Sequence, residues 1–92
     1  MYLEIVSPEA TLFSGEVTSI AVPGVNGEFE MLKNHAPIIS LLTEGNVKIY
    51  GSISLDEEIA SKFTKPSDKV TWLPISSGVL EMIDNKAIVL VD

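Results

Sequence analysis

Over most of this chain, apolar and polar residues alternate for five or six positions and then stop at a turn. In Gly27-Glu-Phe-Glu-Met31 the alternation is strict, with Glu28 and Glu30 on one side and Phe29 and Met31 on the other. Successive side chains of a strand point to opposite faces, so a period of two marks a half-buried strand. Tyr2 to Val6 repeats the pattern with Leu3 and Ile5 sharing a face, and Asn46 to Tyr50 repeats it with Val47 and Ile49. Val17 to Val22 runs into Pro23-Gly24, a strong turn signal, and Asn26-Gly27 permits the positive φ of a tight connection. Gly78 to Ile83 and Lys86 to Val91 are joined by Asp84-Asn85, two residues that tolerate the left-handed backbone of a short hairpin. The last run, Ala87-Ile-Val-Leu-Val91, is apolar on both faces and is expected to be covered on both. Short strands with turns about every 8–12 residues describe an all-β sandwich or barrel.

One stretch departs from this texture. Ser54-Leu-Asp-Glu57 matches a capping box, and Leu55, Ile59 and Phe63 recur at the spacing of a helix face. Asp56, Glu57 and Glu58 would then occupy a first turn, where the helix dipole favours anions. The reading is a short helix over 54–63 on a surface insertion, closed by Pro66-Ser67-Asp68. An extra hairpin of the sheet competes with it, because so short a helix is marginal without packing.

Composition removes several kinds of chemistry. The 92 residues read as one domain, 1–92, with no repeat or linker. Without cysteine there is no disulfide, thiolate metal site or thiol nucleophile. The net charge is −7 and all six basic residues are lysines, so the chain is repelled by a nucleic-acid backbone and has no guanidinium fork. The longest wholly apolar run, Ala87 to Val91, is far short of the roughly 20 residues a membrane helix needs. The opening MYLEIV lacks the layout of a signal peptide. A mean hydropathy of +0.31 in so small a domain leaves apolar surface for a partner, or reflects a core-rich β domain.

Few residues remain for catalysis. His35 is the only histidine, and Pro37 pushes Ala36 toward extended backbone, so His35 belongs to a loop leading into Pro37 to Leu42. One imidazole without a second histidine at ligand spacing does not make a metal centre, and no Gly-x-Ser-x-Gly marks a nucleophile. Gly24-Val-Asn-Gly27 followed by Glu28 is a turn, since a phosphate loop needs a lysine where this chain has an anion. Glu28 and Glu30 on one strand face read first as a solvated side, second as an acidic contact for a basic loop on a partner. Trp72 suits either a core or an interface.

Taken in order, LEIVSPEATLFSGEVTSIAVPG (Leu3 to Gly24), GEFEML (Gly27 to Leu32), HAPIISLL (His35 to Leu42) and SSGVLEMIDNKAIVLVD (Ser76 to Asp92) resemble the N-terminal domain of the epsilon subunit of bacterial F-type ATP synthases, called delta in mitochondria. The match spans the chain except for about residues 51–74. The resemblance implies a flattened β-sandwich of about ten strands in two sheets. It implies a non-catalytic, cofactor-free component of the central stalk. Such a domain binds the gamma subunit, stands on the polar loops of the membrane rotor ring and helps couple proton flow to ATP synthesis. Its place would be peripheral, on the cytoplasmic face of the bacterial plasma membrane. Carried over by position, Gly27, Glu28 and Phe29 are expected at the rotor ring, and His35, Ala36, Pro37 and Ser40 against gamma. His35 is then an interface residue and not a base. The family usually continues past this point into a two-helix hairpin that inhibits hydrolysis or binds ATP; the sequence ends at Asp92, so neither property is assigned to these residues. Residues 51–69 exceed the family's usual connection. A free-standing small-ligand-binding sandwich is the alternative, and a metal-dependent hydrolase built on His35 the third reading.

Overall fold

A computed structural model describes all 92 residues. Ten strands follow one another: β1 (Tyr2–Val6), β2 (Thr11–Glu16), β3 (Ser19–Gly24), β4 (Gly27–Met31), β5 (Ile38–Leu42), β6 (Gly45–Tyr50), β7 (Thr64–Ser67), β8 (Val70–Ile75), β9 (Gly78–Ile83) and β10 (Lys86–Val91). One helical turn, α1 (Glu57–Ala60), interrupts them between β6 and β7. The strands pair in the order β2-β1-β10-β9-β5-β3-β6-β8-β7, with β4 on β3. β5 and β3 meet at a single pair, Gly24 with Leu42, which divides the curled sheet into a first layer ending at β5 and a second beginning at β3 and β4.

The two layers are also joined along a bent ribbon. β5 and β6 lie antiparallel to β9 and β8, and the register runs through the bend without slipping: Leu42 faces Gly78, and three residues on Gly45 faces Ile75. A strand pair that bends from one layer to the next is how sandwiches turn corners. Glycines mark the bend because backbone and ring atoms crowd it. A Cβ on Gly78 would lie 2.4 Å from the Leu90 carbonyl oxygen, and one on Gly45 would lie 2.8 Å from Pro23 Cβ.

The inner faces supply one contiguous core of 20 residues. Leu3, Ile5, Leu80 and Val89 of the first layer and Ile20, Val22, Val47 and Ile49 of the second have no exposure at all. Each such side chain contributes about 1.5–3 kcal/mol by leaving water. Among them, Leu3 with Ile5 and Val47 with Ile49 are the pairs that alternation placed on one face of β1 and of β6. Asp84 and Asn85 take φ of 51° and 61°, the left-handed pair a two-residue hairpin requires.

The expected all-β sandwich is therefore present, with three local differences. Pro23 and Gly24 belong to β3, and the turn falls on Val25-Asn26 with Gly27 at a φ of 120°. The helix of 54–63 shrinks to Glu57–Ala60, Asp56 stands at its N-cap, and no side chain caps it. The apolar spacing was still meaningful: Phe63 is buried, and Ile53, Leu55 and Ile59 pack against the core, but from coil and a single turn. The competing extra strand is there too, since 64–67 forms β7 on the edge beside β8. Lastly, β10 is central, yet only Ala87, Val89 and Val91 are buried, while Leu90 is half exposed on the other face. Parallel pairing with β1 and antiparallel pairing with β9 satisfy the backbone of β10; nothing in the chain covers its outer side.

Candidate interaction faces

The outer face of the first layer follows from strand register. Val6 lies opposite Leu90, Leu90 opposite Val79, and Val79 opposite Leu41, which makes one wholly aliphatic row across four strands. The next row reads Glu4, Ile88, Glu81, Ile39, and the third brings Tyr2, Lys86 and Ile83 together. Ile39 (72%), Leu41 (63%), Leu90 (50%) and Ile83 (49%) are four of the six large apolar side chains this chain exposes, and all four lie here. A groove of ≈ 550 Å³ runs along the first row, with Ser7, Ser77 and Asp92 at its rim. Scattered exposed leucines are ordinary in small proteins, whereas contiguous rows of them mark a contact surface.

The outer face of the second layer is covered by its own side chains. Lys48 on β6 bonds Glu28 on β4 at 3.1 Å, and its ammonium lies 4.9 Å from the centre of the Trp72 ring on β8. Ser19 Oγ donates to Glu30 Oε2 at 2.9 Å beside them. The long stems of Lys48 and the two glutamates lie over β3, every residue of which is buried. Trp72, which the sequence left undecided between core and interface, is half-buried beneath this stack.

The residues singled out in sequence separate into two places. Gly27, Glu28 and Phe29 form the β3–β4 hairpin, where Phe29 turns in against the core and Glu28 turns out to Lys48. Ser40 joins them and not His35: it faces inward opposite Leu80, and with Ile38 it borders a recess of ≈ 330 Å³ beside the hairpin. His35, Ala36 and Pro37 lie on the loop at the opposite end of β4, which is pinned when the Asn34 N–H donates to Asn85 Oδ1 at 2.8 Å. The His35 ring is exposed and shares a 2.8 Å hydrogen bond with the Ala36 carbonyl. No three histidine or carboxylate groups come together as a metal site. Pro37 alone of this set reaches the aliphatic face, at a recess it shares with Ile39, Glu81 and Ile83.

That face is what sequence reasoning missed. Two signals pointed to it: the double-sided apolarity of β10, and Ile39 and Leu41 alternating on β5 against Ile38 and Leu42. Placing them on one outer surface required the pairing of β5 with β9, which no local pattern gives.

The model of the family described as ATP synthase, delta/epsilon chain, beta-sandwich domain matches residues 1–92. This chain belongs to that family. An ATP synthase epsilon chain of Chlorobium limicola is 37% identical over 90 residues, covering 98% of this chain and 86% of that one. Another, from Neisseria meningitidis, is 38% identical over 93 residues, and there the match takes in only 56% of the longer relative. Among solved structures, a chain of the Tetrahymena thermophila mitochondrial ATP synthase central stalk and c-ring superposes with a TM-score of 0.74 over 99% of this chain and 62% of its own, at 13% identity. A chain of the Euglena gracilis mitochondrial enzyme gives 0.72 over 97% of this chain and 48% of its own, at 18% identity. At those identities the superpositions speak for the fold. The family is that of the delta and epsilon chains of ATP synthase. No helix of this delta/epsilon domain is long and apolar enough to cross a membrane.

Proposed function

We propose that this delta/epsilon domain works as a rotor adaptor, held to the gamma subunit through the aliphatic outer face of its first layer. The observation that supports this most directly is that Ile39, Leu41, Ile83 and Leu90, four of the six exposed large apolar side chains, cluster on one face. An apolar sheet face, its backbone fixed by strand pairing, can be buried as a unit with little rearrangement. Pro37 and the loop of His35 and Ala36 border the same contact. The β3–β4 hairpin, with Val25 60% exposed at its tip beside Glu28, meets the polar loops of the rotor ring. In this arrangement the domain is peripheral, on the cytoplasmic side of the bacterial plasma membrane, and links ring rotation to the catalytic head.

The test is a calorimetric titration of this chain into purified gamma subunit from the same organism. Saturable one-to-one binding is expected, with Leu41→Asp combined with Leu90→Asp abolishing it at micromolar concentration. His35→Ala with Ser40→Glu is expected to weaken it less, because Ser40 faces away from the aliphatic rows. No binding by a demonstrably folded chain would overturn the proposal.

A further inference from the structure

The aliphatic face has a charge at its centre. Glu81 lies directly across from Ile88 on one side and Ile39 on the other, and Val79 and Ile83 flank it along β9. Four aliphatic side chains thus surround one carboxylate. The other acid of the same row, Glu4, has its own cation: Lys86 Nζ stands 3.9 Å from it and lies over the Tyr2 ring. Glu81 has no such partner in the chain and is exposed.

A partner that covers Ile39, Leu41, Ile83 and Leu90 together must also cover Glu81, which stands in the middle row among them. Taking a carboxylate out of water without a counter-charge is strongly unfavourable, and a single unpaired charge can cancel the gain from several buried aliphatic groups. The one other charged group on the face, the Glu4–Lys86 pair, already carries its own counter-charge. Resting on the assignment of this face to gamma, we infer that the covering surface carries one basic side chain, an arginine by geometry, that lands on Glu81 at the middle of an apolar contact. An arginine fits because its flat guanidinium can lie over Ile39 or Ile88 while bonding both carboxylate oxygens. Glu81 then sets register and partner choice, since a partner that is apolar throughout would strand it. The occupant is a protein surface that is aliphatic around one cation.

The experiment compares gamma binding by the wild-type chain with Glu81→Leu, Glu81→Gln and Glu81→Lys, and with Glu57→Lys on the far insertion as a control for net charge. All positions are exposed, so thermal unfolding is expected to show every variant folded. The inference expects Glu81→Leu and Glu81→Gln to weaken binding at least tenfold and Glu81→Lys at least a hundredfold, with Glu57→Lys unchanged. Tighter binding by Glu81→Leu would overturn it, because that is what an unpaired carboxylate produces. An equal effect of Glu57→Lys and Glu81→Lys would overturn it as well, leaving only long-range charge. Wild-type binding indifferent to every Glu81 change removes the inference and leaves the rotor reading intact. If the wild-type chain does not bind gamma at all, both fall.

Discussion

The two outer faces of this sandwich are built from the same number of strands and treat water in opposite ways. On the second layer, Lys48 is drawn over Trp72 and onto Glu28, and Ser19 holds Glu30, so the face closes over β3 with its own side chains. On the first layer, the corresponding positions carry Val6, Leu90, Val79 and Leu41, and no side chain lies across them. The inner faces do not differ in this way; both are mainly apolar and together form one core. The asymmetry teaches that folding does not use the first layer's outer face. Its apolar residues stay available because the fold is already complete without them.

The sharpest way to break that comparison is to change one inner and one outer leucine on the paired strands β9 and β10. Leu80→Ala on β9 removes a fully buried side chain from the shared core and is expected to cost about 2–5 kcal/mol in urea unfolding. Leu90→Asp on β10 places a charge on the outer face and is expected to change stability by no more than about 0.5 kcal/mol. A large loss for Leu90→Asp would mean that the face supports the fold. The second effect in size belongs to binding. Leu41→Asp alone is expected to cost about 2–4 kcal/mol of gamma affinity by calorimetry, the range of a central contact residue. The same substitution at Val25, on the hairpin tip, is expected to leave gamma affinity unchanged.

Much of the inner architecture was legible in the sequence because burial on one side of a strand writes itself as alternation. Leu3 and Ile5, Val47 and Ile49, and Phe29 and Met31 all fell on the side that alternation gave them. The Asp84-Asn85 hairpin was readable for a different reason, since few residues accept two consecutive left-handed conformations. The helix was overread. Ser54 and Glu57 have the spacing of a capping box, but Leu55 and Phe63 are pulled onto the core by tertiary contacts that a single turn satisfies. The outer face was misread for a physical reason: two-sided apolarity in β10 is the same signal whether the cover is a neighbouring element or a separate protein. Ser40 was carried over with His35 from the family resemblance, and on β5 it faces inward opposite Leu80, since one residue of shift along a strand reverses the face. The single bridge between Gly24 and Leu42, which sets the corner, has no local signature.

The smallest expected effect sharpens the second face. Lys48 contributes there in three ways: an ion pair with the half-exposed Glu28, a cation over Trp72, and an aliphatic stem lying across β3. A partly exposed ion pair is worth at most about 1 kcal/mol, and a cation over a half-buried ring about 0.5–1 kcal/mol. Stem packing is the part that keeps β3 dry, and methionine retains it while removing the charge. Lys48→Met is therefore expected to cost only about 0.5 kcal/mol in urea unfolding, and Lys48→Ala about 1 kcal/mol or slightly more. The ordering is the informative part. If the methionine variant is the less stable of the two, charge and not coverage holds this face. The second layer's closure would then weaken with added salt, in contrast to a first layer whose outer rows carry no structural charge beyond Glu4 and Lys86.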